Sequence, residues 1–140
     1  MRTTSLATAG ALDRPGDLPA AKTDYRDGRT RVRFKELPPE EKAKLIARNP
    51  AYGRVICRCE TITEGEILDA LHTEIPATTI DGVKRRCNAG MGRCQGGFCG
   101  PRVLELISRT RGIDPLDVLQ DKAGSNVLLC ETKQEGTNHD

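Results

Sequence analysis

The sequence predicts a mainly α-helical fold, a small compact bundle of about four to five short helices with the cysteines in the loops between them. Apolar residues recur at helical spacing in several short segments, and most of these segments follow a capping residue or a proline. The 140 residues include no Trp, two Phe and two Tyr, so the core must consist mainly of Leu, Ile, Val and Ala.

The predicted helices span residues 42–48, 64–72, 80–89, 102–111 and 116–120. The first has prolines and acidic residues at its start, which favour a helix N-terminus. Thr61 or Thr63 caps the second, and Thr63 forms a capping box with Glu66. Thr78 or Thr79 caps the third. Pro101 stands at a favourable first-turn position for the fourth, and Asp114-Pro115 begins the fifth.

The chain divides into three predicted regions. Residues 1–33 show no helical or strand period and cannot bury enough apolar surface to order themselves, so they are expected to form a disordered or extended linker or a partner-docking tail. Residues 34–130 form the folded domain, with short extended pieces at 52–57 and 127–129, and residues 131–140 form a frayed C-terminal tail.

Charge and hydropathy exclude several classes of protein. Lys and Arg number 22 and Asp and Glu 20, for a net charge of +2, so the chain is not a strongly basic nucleic-acid binder. No apolar run approaches the roughly 18 residues that a membrane span needs. The apolar run at 6–12 is too short for a secretory signal. A cytoplasmic location is expected.

Six cysteines lie at 57, 59, 87, 94, 99 and 130. A disulfide framework is the weaker interpretation, because reducing compartments keep structural thiols unpaired. Metal binding or redox chemistry is therefore favoured. Four of the cysteines form two tight pairs, C-x-C at 57–59 and C-x4-C at 94–99. Each pair precedes a predicted helix, whose positive end favours a thiolate. Gly96 and Gly97 leave room for backbone N–H groups to approach the sulfurs.

The basic residues near the second cysteine pair allow two interpretations. The stretch 84–102 holds Lys84, Arg85, Arg86, Arg93 and Arg102 and no acidic residue. As a group, these cations either stabilise a reduced metal cluster and attract an anionic partner surface, or form a solvated basic face.

The remaining candidate ligands have structural explanations. Cys87 lies on the inward face of the third predicted helix and is expected to be a packed thiol, with a spare-ligand role as the alternative. Cys130 lies away from the cysteine motifs and is not expected to bind the metal. His72 ends a helix and lacks a second ligand histidine, since His139 lies in the tail. Glu60, Glu64 and Glu66 could suggest acid–base catalysis, but the favourable interaction of acidic residues with the dipole at the start of the second helix explains their position.

Three segments, CRCETITEGEI, TTIDGVKRR and AGMGRCQGGFCGPRVLELI, resemble the bacterioferritin-associated-ferredoxin-like (BFD-like) 2Fe–2S domain. The resemblance covers about residues 30–130 and is strongest to the C-terminus of FAD-dependent oxidoreductases of the anaerobic glycerol-3-phosphate dehydrogenase type. It implies a small helical fold in which Cys57, Cys59, Cys94 and Cys99 bind a 2Fe–2S cluster. It also implies one-electron transfer between a flavin and another acceptor.

The chain departs from those enzymes because it has no GxGxxG fingerprint for a dinucleotide. FAD is therefore expected on a partner dehydrogenase subunit in a hetero-oligomer, with this chain as a non-catalytic electron-transfer subunit or a fragment of a longer protein. Two alternatives remain: a structural zinc module for protein interaction, and a free-standing ferredoxin-like partner that reduces an iron store.

Overall fold

The computed structural model describes residues 31–132, which are mainly helical and include a small sheet. The α-helices are α1 (Pro39–Arg48), α2 (Glu64–His72), α3 (Ile80–Cys87) and α4 (Gly100–Arg111). Strands β1 (Val55–Cys57) and β2 (Ile62–Thr63) pair antiparallel. Short 3₁₀ turns span Phe34–Glu36, Pro50–Gly53 and Pro115–Asp117. The helical prediction is confirmed, whereas the two-stranded sheet was not predicted.

Helix α2 starts at the predicted capping box. The Thr63 hydroxyl accepts a hydrogen bond of 3.3 Å from the Glu66 N–H, and the Glu66 carboxylate accepts one of 2.9 Å from the Thr63 N–H. The same carboxylate also accepts the N–H of Phe34, 3.1 Å away. These bonds satisfy N–H groups that a helix end leaves without partners, and they tie the N-terminal 3₁₀ turn to α2.

The core lies where α2 packs against α3 and α4. Ile67 of α2, Val83 of α3 and Leu106 and Ile107 of α4 are all fully buried. Each contributes about 1.5–3 kcal/mol to the free energy of unfolding through its removal from water. These four residues lie at apolar positions of helical spacing in the sequence. Helix α1 lies outside this core and has no buried residue.

A tight contact joins Tyr52 to α2. The Tyr52 ring lies directly over Gly65, where a Cβ atom would come within 2.7 Å of the ring. Its hydroxyl donates a short hydrogen bond to Asp69. Burial and this carboxylate raise the pKa of Tyr52 well above its ordinary value. The 3₁₀ turn before β1 is thereby fixed against α2, which positions β1.

Two predicted elements differ from the structure. Helix α3 ends at Cys87 rather than Ala89, because Asn88 adopts a left-handed conformation with a φ of 64°. The predicted fifth helix at 116–120 is wrong: it is reduced to the 3₁₀ turn Pro115–Asp117. Leu119 instead forms an antiparallel bridge with Asn126, and residues 127–129 form no strand. Contacts with other segments, including hydrogen bonds from the N–H groups of Ile80 and Asp81 to the carbonyls of Leu119 and Gln120 at 3.1 and 2.8 Å, outweighed the local helical signal.

Some predictions fall outside the described residues. Most of the predicted tail at 1–33 lies there, as do residues 133–140 with His139. Across residues 31–132, no helix has both the length and the apolar character needed to cross a membrane.

Candidate metal centre

The four predicted ligand cysteines come from two segments that the fold brings together. Cys57 ends strand β1, and Cys59 lies in the turn between β1 and β2. Cys94 lies in the turns between α3 and α4, and Cys99 is the N-cap residue of α4. The expectation that all four occupy loops is wrong for Cys57, which the unpredicted sheet includes. The predicted proximity to a helix N-terminus holds directly for Cys99.

Each close thiol–thiol contact joins one segment to the other. The sulfurs of Cys59 and Cys94 lie 3.7 Å apart. The thiol of Cys99 forms a hydrogen-bonding contact with that of Cys57 and also interacts electrostatically with Cys94. All four predicted ligands are thus brought together as two pairs, and each pair takes one cysteine from each motif.

The two pairs differ in exposure. We call Cys57 and Cys99 the inner pair, because they are 1% and 2% exposed. Cys59 and Cys94 form the outer pair, since Cys59 is exposed and Cys94 is partly exposed. The site therefore has one edge in the core and one edge at the protein surface.

Backbone groups stabilise a thiolate at the outer pair. The pKa of Cys94 is lowered, most strongly by a hydrogen bond from the Phe98 N–H group and next by one from the Cys59 thiol. The N–H groups of Gly96 and Gly97 lower it further. N–H groups directed at sulfur favour the anionic form. The glycines thus have the role that the sequence predicts, next to the second cysteine pair.

The inner pair has the opposite electrostatics. Burial, reinforced by the neighbouring Cys57, raises the pKa of Cys99 to about 11. Two adjacent buried thiolates repel each other and are poorly solvated unless a cation neutralises them. A bound metal provides that charge, because coordinated thiols are deprotonated. The inner pair is suited to metal coordination.

Gly92 positions the outer pair and was not identified as a site residue from sequence. A Cβ atom at Gly92 would lie 2.2 Å from the Cβ of Cys59, a separation that no side chain could have. The segment before Cys94 can approach the turn that holds Cys59 only because residue 92 has no side chain. The available signal was a glycine two residues before a candidate ligand.

The cations of residues 84–102 differ in whether other groups of the protein engage them. Arg85 pairs with Asp121 at 2.6 Å, and Arg102 pairs closely with Glu105. Arg86 donates to the carbonyl oxygen of Ile75 at 2.8 Å. Three of the five cations are therefore engaged by groups outside the stretch 84–102.

Arg58 and Arg93 differ from those cations. Each directly precedes a cysteine of the outer pair in the sequence. Neither forms an ion pair with any other residue in the range 31–132. Positive charge that other side chains do not neutralise is thus concentrated beside Cys59 and Cys94.

The other candidate ligands, Cys87, His72 and Cys130, lie outside the two cysteine pairs. Cys87 is 4% exposed and its thiol donates to the Val83 carbonyl, 3.3 Å away, in agreement with a packed thiol. His72, in the last turn of α2, places Nδ1 2.7 Å from the Leu68 carbonyl oxygen. Cys130 is exposed.

The three glutamates near the first cysteine pair also have partners. Glu60 pairs with Lys35 at 3.7 Å. Glu64 pairs with Arg54 and Arg109, and Glu66 belongs to the capping box. Their contacts connect structural elements to one another.

The donor set fits a cluster with two metal ions. Two thiolates on one tetrahedral ion, with metal–sulfur bonds of about 2.3 Å, lie about 3.8 Å apart. The outer pair, at 3.7 Å, has this separation. Two thiolates for each of two irons match the arrangement in pairs.

Comparison with known proteins agrees with this fit. A family model described as a BFD-like [2Fe-2S] binding domain matches residues 55–109, which include both cysteine pairs. Among curated proteins, a "Glycerol 3-phosphate dehydrogenase" of Caloramator mitchellensis is 50% identical over 103 residues, 74% of this chain and 22% of that protein. No solved structure gives a significant match.

Two further relatives are also named as redox proteins. An opine oxidase subunit of Rhizobium meliloti is 39% identical over 64 residues, 46% of this chain and 12% of the relative. "Assimilatory nitrate reductase electron transfer subunit" of Bacillus subtilis is 38% identical over 71 residues, 51% of this chain and 9% of the relative. The chain therefore spans less than a quarter of the length of these relatives.

The match covers the segments that hold the cysteines, and the structure brings those cysteines together as two pairs. An iron–sulfur cofactor and a role in electron transfer follow from the domain. Residues 55–109 of this chain are a BFD-like [2Fe-2S] binding domain.

Proposed function

We propose that this chain carries single electrons between the flavin of a partner FAD-dependent dehydrogenase and a downstream acceptor. The observation that supports this most directly is the exposed outer pair, in which Cys59 reaches the surface 3.7 Å from Cys94. A cluster held there has an edge that a redox partner can approach closely. When bound, the 2Fe–2S cluster supplies one-electron redox chemistry.

The proposed ligands are Cys57, Cys59, Cys94 and Cys99, two for each iron. The protein's contribution is to hold these sulfurs and to set their electrostatic surroundings. The N–H groups directed at Cys94 stabilise negative charge on sulfur, which favours the reduced state and raises the reduction potential.

The partner is proposed from the relatives and from what this sequence lacks. The relatives are named as a dehydrogenase, one subunit of an oxidase, and one electron transfer subunit, and most of their length has no counterpart in this chain. This sequence contains no GxGxxG motif. We therefore place FAD and the substrate site on one or more partner subunits, in a cytoplasmic hetero-oligomer.

The cofactor is tested on anaerobically purified protein. Visible absorption and EPR spectra are recorded before and after dithionite, and iron, sulfide and zinc are measured on the same sample. We expect a brown protein with equal iron and sulfide and an EPR signal that appears only on reduction. A colourless protein that holds one zinc ion would contradict the proposal and leave a zinc interaction module.

The partner is tested by co-expression with FAD-dependent dehydrogenase subunits of the same organism. We expect the two to purify together, and the dehydrogenase's substrate to produce the EPR signal of the reduced cluster. A cluster-containing protein that binds no flavoprotein, and whose cluster no flavoprotein reduces, would contradict the proposed partner. That result would favour a free-standing ferredoxin.

A further inference from the structure

We propose that the surface around the outer pair docks an acidic face of the redox partner protein, with the Phe98 ring as its apolar anchor. We call this surface the outer face and define it by Arg58, Met91, Arg93 and Phe98. The inference rests on the proposed electron-transfer function and specifies how the partner is recognised.

Phe98 is exposed beside the site although its backbone is held in place. Its side chain is 88% exposed, while the backbone on either side is held by hydrogen bonds from the Gly97 N–H to the Cys94 carbonyl at 3.0 Å and from the Gly100 N–H to the Gly96 carbonyl at 2.6 Å. The other phenylalanine of the sequence, Phe34, packs on Tyr52 with ring centroids 6.5 Å apart. An exposed aromatic ring on a fixed backbone loses little conformational entropy on binding, which is typical of residues that dominate binding energy at interfaces.

Met91 extends the apolar part of the outer face. It is 49% exposed, and its N–H group donates to the Asn88 carbonyl at 3.1 Å. The next residue, Gly92, is the one that contacts Cys59. Methionine adapts its shape to a partner surface, so an adaptable side chain adjoins the outer pair.

Charge identifies the kind of partner. Arg58 and Arg93 contribute positive charge beside the outer pair and have no ion-pair partner among residues 31–132. The acidic residue nearest in sequence, Glu60, pairs with Lys35 at 3.7 Å. Exposed apolar side chains together with uncompensated cations are complementary to an acidic protein surface with an apolar pocket.

Docking at the outer face supports a balanced redox step. One electron crosses the interface in each encounter: the partner's cofactor is oxidised and the cluster is reduced, or the reverse. No bond forms or breaks, so the protein has only to hold the two cofactors close together. The outer pair is the part of the site that a partner seated on Phe98 would face.

The charge of the outer face is tested without the partner. The dithionite-reduced protein is mixed in a stopped-flow instrument with ferricyanide, an anionic oxidant, or with tris(phenanthroline)cobalt(III), a cationic one. At low ionic strength, the double variant R58Q/R93Q should slow oxidation by ferricyanide about three- to tenfold and should not slow oxidation by the cobalt complex.

The control is R111Q. Arg111 is an exposed cation at the end of α4, and its Cα lies about 18 Å along the helix axis from Cys99. We expect this variant to keep the wild-type rates. Equal slowing in R111Q, or no slowing in R58Q/R93Q, would overturn the assignment of the charge to the outer face.

The anchor is tested in the complex with the flavoprotein. Phe98→Ala should slow reduction of the cluster by the substrate-reduced flavoprotein about tenfold. Phe98→Tyr should restore most of the rate, and Ile75→Ala, which truncates another exposed apolar side chain at 78% exposure, should have no effect. The EPR signal after dithionite and the ferricyanide rate should be unchanged in all three variants.

The outcomes separate this inference from the proposed function. If no flavoprotein reduces the wild-type cluster, the proposed function fails and the docking proposal fails with it. If the wild type is reduced and Phe98→Ala is reduced equally fast, only the docking proposal is overturned. Loss of the dithionite EPR signal in Phe98→Ala would show that the ring maintains the cluster, which also overturns its role as an anchor.

Discussion

The sulfur of Cys59 lies 3.7 Å from that of Cys94, although 35 residues separate the two in sequence. The contact crosses between the two cysteine motifs, and so does the contact of Cys57 with Cys99. The motifs therefore do not each form a separate metal site. Cluster binding should instead join the β1–β2 segment to the segment before α4, so metal loading and folding are linked.

The ligand assignment is tested by single substitutions. We expect Cys59→Ser or Cys94→Ser to abolish or severely weaken cluster binding, because each removes one of the four proposed ligand sulfurs. Iron content and visible absorption after anaerobic purification give the measurement. Cys130→Ser is the matched control and should keep the full cluster. A Cys130→Ser protein without colour would contradict the assignment.

Gly92→Ala should lower cluster occupancy without removing a ligand. The added methyl group would lie 2.2 Å from the Cβ of Cys59, so one of the two segments must move and the outer pair must separate. Iron content and the EPR line shape report the change. Gly100→Ala is the control, since a Cβ there meets nothing within 4 Å. Equal occupancy in the two variants would show that Gly92 has no positioning role.

Thr63→Ala should destabilise the fold by about 1 kcal/mol, in the range of 0.5–2 kcal/mol measured for lost helix caps. The variant removes the hydroxyl that accepts the Glu66 N–H at 3.3 Å. Urea unfolding followed by circular dichroism gives the free energy of unfolding. Thr78→Ala, at an exposed position before α3, should change that value by much less. A cap without energetic importance would make the two variants equal.

Stability should fall in acid partly through Glu64. Its side chain is 2% exposed, and the hydrogen bond from Arg54 keeps its pKa below the ordinary value of 4.5. A carboxyl group whose folded pKa is depressed stabilises the protein fully above its unfolded pKa. That stabilisation is lost as the pH falls below 4.5 and through the folded pKa.

Glu64→Gln measures this contribution. We expect the variant to be less stable than the wild type by about 1–2 kcal/mol at pH 7, because the Arg54 and Arg109 side chains are more than half exposed and solvent weakens their interactions. The difference should shrink as the pH is lowered below 4.5. Thermal melting of both proteins across the pH series tests this. A difference that does not depend on pH would exclude the ion pair as its origin.

Removal of the cluster should lower the melting temperature. The core depends on a few side chains of α2, α3 and α4, and the buried inner pair lies within it. A metal cluster that binds the folded state but not the unfolded state stabilises the folded protein by mass action. Differential scanning calorimetry of the cluster-loaded and cluster-free protein provides the comparison. Equal melting temperatures would show that the cysteine segments hold together without the cofactor.

Local interactions made much of the fold predictable. The capping box of Thr63 and Glu66 sits where the sequence places it, because both partners lie within one helical turn. The apolar positions of α4, including Leu106 and Ile107, are buried as their spacing predicts. The cysteine motifs, with their resemblance to a known domain, likewise indicated the cofactor from the sequence alone.

Contacts between separate segments decided the rest. Pairing of β1 with β2 placed Cys57 on a strand, and the bridge from Leu119 to Asn126 replaced a predicted helix. The ion pair of Arg85 with Asp121 joins residues 36 positions apart, and it neutralises Arg85. Arg58 and Arg93 have no such partner in the part of the chain that the structure describes, and they give the outer face its positive charge. Sequence spacing defines which residues share a helix face, but it does not define which segments meet. Burial, cysteine pairing and charge compensation depend on those meetings, so only the tertiary structure determined them.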